Sequence, residues 1–181
     1  MIWAFVLLVL VAALYRIMPN RPLGFAPQIA MALFGGAIIK DKKWAIALPL
    51  LSMLVSDVLY QMLYTAGLTD IKGFYSGQFL NYLLFAGITV LGFTMKKVNT
   101  VNVLGYSLLA PTLFFLASNF TVWAGSGGLQ RSKTFAGLIQ CYADGLPFYK
   151  GGLASSLIFG AILFAGHFLL TKKSSSIIAA E

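Results

Sequence analysis

Asp57 sits inside a long apolar run of this 181-residue chain, and an ionisable group placed there is expensive and by default functional. With a helical rise of about 1.5 Å per residue, it lies about 20 Å from the inner end of the third apolar block. Asn119 falls about 28 Å from the inner end of the fifth block, and Asn81 about 5 Å from the outer end of the fourth. Ser56, Tyr60, Tyr64, Tyr82, Ser118 and Trp123 share that depth. Ligand pockets combine apolar and aromatic walls with a few converging polar groups, and this layer has that make-up. The expected chemistry is binding of a small organic solute by Asp57, Tyr60, Asn81, Tyr82, Ser118, Asn119 and Trp123, under a loop carrying Tyr142 and Phe148. Two plainer roles stay open. Asp57 can be a helix-packing residue bonded to Asn81, Asn119 or a tyrosine hydroxyl, and the aromatic residues can form an interfacial belt.

No other chemistry is indicated. The chain has no Ser/His/Asp set, no carboxylate pair in one span and no phosphate loop, so an enzyme is not expected and no cofactor is implied. One cysteine, Cys141, and one histidine, His167, supply no metal-ligand spacing, and Cys141 reads as a small buried thiol. Arg16 reads as a snorkelling residue at the end of the first block. The net charge of +8 is divided among small groups between apolar blocks, which argues against nucleic acid as a partner.

The elements that would position the layer follow from composition. Hydrophobic residues make up 59% of the chain and charged ones 10%, too few for an ordinary water-facing surface. Long continuous apolar blocks indicate helices rather than a transmembrane barrel. The fold class is therefore an all-α membrane protein, with residues 1–181 forming a single domain of six transmembrane helices. The spans run from Ile2 to Met18, retained rather than cleaved, then Leu23 to Ile39, Trp44 to about Gly67, Gln78 to Met95, Thr100 to about Trp123, and Gly151 to Leu170. Between the last two, Phe135, Leu138, Ile139 and Tyr142 repeat at helical spacing. They predict a short amphipathic surface helix between two glycine turns, Gly125 to Gly128 and Asp144 to Pro147. Compact lysine groups at Lys40, Lys42, Lys43, Lys96, Lys97, Lys172 and Lys173 place both termini in the cytoplasm of an inner-membrane protein. Ala32 with Gly36, and Gly152, Ser156 and Gly160, mark helix-packing seams.

Ala32-Leu33-Phe34-Gly35-Gly36-Ala37, the basic turn before Trp44-Ala45-Ile46-Ala47-Leu48-Pro49, and Val55-Ser56-Asp57 together resemble the S components of energy-coupling-factor vitamin transporters. Ser118-Asn119-Phe120-Thr121-Val122-Trp123 and Leu146-Pro147-Phe148-Tyr149 are similar to segments of the small solitary cobalamin-transporting branch. That branch has a cobalt-ligating cysteine before span four, where this chain reads Tyr75 to Asn81 without sulfur. The chain also resembles an uncharacterised bacterial membrane family of the same size. The S-component resemblance implies uptake of a vitamin-like solute in an outer pocket closed by the loops after spans one, three and five. It further implies an energy-coupling module or another membrane subunit as partner. A structural or assembly subunit of a larger membrane complex is the alternative function.

Overall fold

The computed structural model describes residues 2–125 and 131–178. They form six helices: α1 (Ile2–Ile17), α2 (Gln28–Ile38), α3 (Lys42–Thr65), α4 (Gln78–Phe93), α5 (Thr100–Gly125) and α6 (Phe135–Ile178). No strand occurs among the described residues. α3, α5 and α6 are long and apolar enough to cross a membrane. α1 and α4, with 16 residues each, are shorter, and α2 has only 11. The outward faces are apolar, carrying residues such as Leu7, Leu51, Leu83, Leu109 and Ile162. That exterior suits a bilayer and not water.

Local chemistry accounts for the helix ends. Asp41 accepts a bond from the Lys43 amide at 2.9 Å and starts α3. Asn99 does the same for α5 through Asn102 N at 2.8 Å, and Thr134 for α6 through Gly137 N at 3.2 Å. α3 stops at a Schellman motif, with Leu68 N bonded to Leu63 O and Gly67 N to Tyr64 O. Gly67, at φ 70°, supplies the left-handed residue that this motif requires.

Two elements depart from the sequence reading. The apolar block at Leu23 begins as an irregular arm, residues 18–27, and not as a helix. Prolines at 19, 22 and 27 favour extended backbone in the residues before them, and Asn20 and Gly24 have positive φ. The short amphipathic helix is corrected as well: Phe135 to Tyr142 is the first part of one continuous 44-residue helix, α6. Asp144 to Pro147 lies within that helix and makes no turn. Pro147 removes one intrahelical donor, a loss that helices packed in membranes tolerate. Gly145 lies against the Asn119 side chain of α5, whose amide would have to move aside for a Cβ at that position. The helix also continues through Ser174 to Ser176, where a tail is expected from sequence. Of the other expected turn, Ser126 to Gly128 lies outside the described residues.

The core forms around α2, buried from Gln28 to Gly36 and packed by α3, α4, α5 and α6. Ile29, Leu33 and Phe34 join Met53, Phe85, Ile88, Ala110 and Phe164 in the main apolar cluster. α1 packs on α3 and contributes Val9 and Ala12 to a second cluster with Met31 and Leu48. The expected seams hold two close contacts: Gly36 against Gly92 of α4, and Gly160 against Ser107 of α5. These contacts set α2 against α4 and α6 against α5.

Candidate functional site

The polar centre of the bundle is assembled by three helices. Asp57, 1% exposed on α3, forms a salt bridge with Arg16 at the end of α1. The same Arg16 nitrogen donates to Ser56 Oγ at 2.6 Å, and the guanidinium lies 5.8 Å from the centre of the Tyr60 ring. The second carboxylate oxygen of Asp57 accepts from Gln78 Nε2 and from the Tyr82 hydroxyl, both at 2.6 Å. α4 thus provides the polar partners of the α3 carboxylate, and both charges of the pair are offset within the protein. A buried ion pair with its remaining lone pairs satisfied in this way is costly to break from one side.

Beside this centre lies a cavity of about 740 Å³. Its walls come from the end of α1 and the arm (Arg16 to Gly24, Ala26), α2 (Gln28, Ile29) and α3 with its following loop (Tyr60, Leu63, Leu68, Thr69, Ile71). Asn81 and Phe85 of α4, Phe114 of α5 and Phe148 of α6 complete them. The arm is held down by Arg21, whose Nε donates to Arg16 O at 2.8 Å and Nη1 to Phe25 O at 3.2 Å. Tyr60 also donates to Arg16 O, at 2.7 Å. At Gly24 the arm meets α6 so closely that a Cβ would lie 2.1 Å from Phe148 O. The φ of 70° there adds a second reason for glycine.

The nine residues singled out from sequence therefore divide into three groups. Tyr60, Asn81 and Phe148 line the cavity; Asp57 and Tyr82 stand behind its wall in the ion-pair network. Ser118, Asn119, Trp123 and Tyr142 lie outside the lining. Their bonds belong to α5 itself and to its contact with α6 and the segment before it. Ser118 and Asn119 donate to Phe115 O, Tyr142 to Leu116 O at 3.1 Å, and Trp123 to Ser132 O at 2.9 Å. Tyr142 is consequently a residue of the α6 helix and no part of a covering loop, because α6 starts seven residues before it. Arg131 and Asp144 add a two-pronged ion pair at 2.8 and 3.0 Å along the same seam.

Sequence reasoning missed Arg21, Gln28, Phe85 and Phe114 as lining residues, and assigned Arg16 to the membrane interface. The available signal was the pair of arginines beside Pro19 and Pro22, a segment unable to continue the helix. Among the described residues no group of three His, Cys, Asp or Glu side chains converges as a metal site.

A family of unknown function, DUF6580, matches residues 1–177, and the chain belongs to it. No curated protein and no solved structure matches the chain.

Proposed function

We propose that this member of a family of unknown function is a membrane binding and uptake protein for a small organic solute, similar to the S component of a vitamin transporter. The cavity of about 740 Å³ carries this reading, because its size and its mixture of aromatic walls with a few polar groups suit a small-molecule site. All six helices belong to one membrane domain in this proposal, with α1 and α4 crossing at about 24 Å each by their helical rise. α2 and the arm together form the second passage. Both termini are cytoplasmic, so the cavity opens toward the outer side. The solute enters past the arm and the loop after α3, and movement of those two segments releases it inward. An energy-coupling module or another membrane subunit is the partner that would drive release.

Mass spectrometry of small molecules extracted from gently purified protein tests the reading. A stoichiometric solute is expected with the native chain and not with Ala26→Trp, which fills the cavity from the arm. Absence of any solute from both, with uptake unchanged in cells lacking the protein, would leave the structural-subunit role in its place.

A further inference from the structure

The charges around the cavity are unequal, and the imbalance bears on what enters it. Two arginines line the wall, Arg16 and Arg21, and no aspartate or glutamate does. The Arg16 charge is offset by Asp57, which stands behind the wall. Arg21 forms no ion pair among the described residues; both its recorded bonds go to main-chain carbonyls. Those bonds hold the guanidinium through Nε and Nη1, leaving Nη2 without a protein acceptor among the described residues. A guanidinium is always charged, and its planar edge matches a carboxylate in two-pronged geometry. Tyr60, Phe85, Phe114 and Phe148 add flat apolar surface to the same lining.

We infer that the cavity selects an organic monoanion, an aromatic or similarly flat solute whose carboxylate is seated on Arg21. This rests on the binding reading above and narrows it to a substrate class. One uncompensated positive charge balances one carboxylate, whereas a phosphomonoester carries close to two negative charges at neutral pH. A cationic solute would face Arg21 with no carboxylate on the wall to receive it.

The test uses the full chain in phosphatidylcholine nanodiscs, so that no anionic lipid competes. The probe is an equimolar mixture of matched sets, each an aryl carboxylate, its carboxamide and the corresponding amine; indole-3-acetate, indole-3-acetamide and tryptamine form one set. Retained compounds are quantified by mass spectrometry against the Ala26→Trp variant. The acids are expected to be retained roughly tenfold or more over their amides, the scale of one charge-assisted bond. That preference should vanish in Arg21→Gln and persist in part in Arg21→Lys, with size-exclusion elution establishing that each variant is folded. Preferential retention of amides or amines, or an acid preference unchanged in Arg21→Gln, would overturn the anion assignment while leaving solute binding intact. Retention of no probe above the blocked variant would also overturn it, and if no solute co-purifies with the native chain the binding reading falls too.

Discussion

Replacing Asp57 with alanine is expected to destabilise the folded protein by about 3 kcal/mol, because it leaves the largely buried Arg16 charge without its partner. The side chain is 1% exposed, and its loss also leaves the Tyr82 hydroxyl and Gln78 amide without their shared acceptor. Reversible unfolding in detergent micelles measures the change. The double variant Arg16→Met with Asp57→Leu should recover part of the loss, since it removes the unpaired charge while the Tyr82 hydroxyl and Gln78 amide stay without their acceptor. If the double variant instead shows the sum of the losses of Arg16→Met and Asp57→Leu measured singly, Arg16 and Asp57 are uncoupled and the network does not hold α1 to α3 as described. Asp57 is absent from the cavity lining, so this variant is expected to act on folding before it acts on solute binding.

What the sequence made legible follows from which signals are one-dimensional. The boundaries of α3, α4 and α5 agree with the apolar blocks, because the blocks are interrupted sharply at the caps Asp41, Gly77 and Asn99. Depth along a helix is also legible, and it places Asp57, Tyr60, Asn81 and Tyr82 near one end of the bundle, where the cavity and ion-pair network lie. Direction around the helix axis is not. α5 has almost uniform apolarity around its circumference, so nothing in its sequence shows that Ser118, Asn119 and Trp123 turn away from the cavity while Phe114 turns toward it. The arm was hidden for a different reason: Leu23, Phe25 and Ala26 have the apolarity of a span, while the prolines and Gly24 around them prevent a helix. Arg16 was misplaced because its partner lies 41 residues away, a separation that no local pattern reports.

The seam between α2 and α4 should be highly sensitive to added volume. A Cβ on Gly36 would come within 2.2 Å of Thr89 O and 2.8 Å of Gly92 Cα, and one on Gly92 within 2.6 Å of Leu33 O. The obstructing atoms are backbone, so relief requires the two helices to separate, and separation disrupts the packing of Leu33, Phe85 and Ile88 in the main core. Overpacking a core with side-chain atoms typically costs about 1–3 kcal/mol, and forcing two backbones apart should exceed the upper figure. Gly36→Val and Gly92→Val are therefore expected to abolish recovery of monodisperse protein by fluorescence-detected size-exclusion chromatography. Gly87→Ala on α4 and Gly105→Ala on α5 meet nothing within 4 Å and provide the contrast. Each should be neutral or stabilising by up to about 1 kcal/mol, the difference in helix propensity between glycine and alanine. Equal tolerance of valine at Gly36 and alanine at Gly87 would mean that α2 does not lie against α4, and the cavity walls built on those two helices would have to be redrawn.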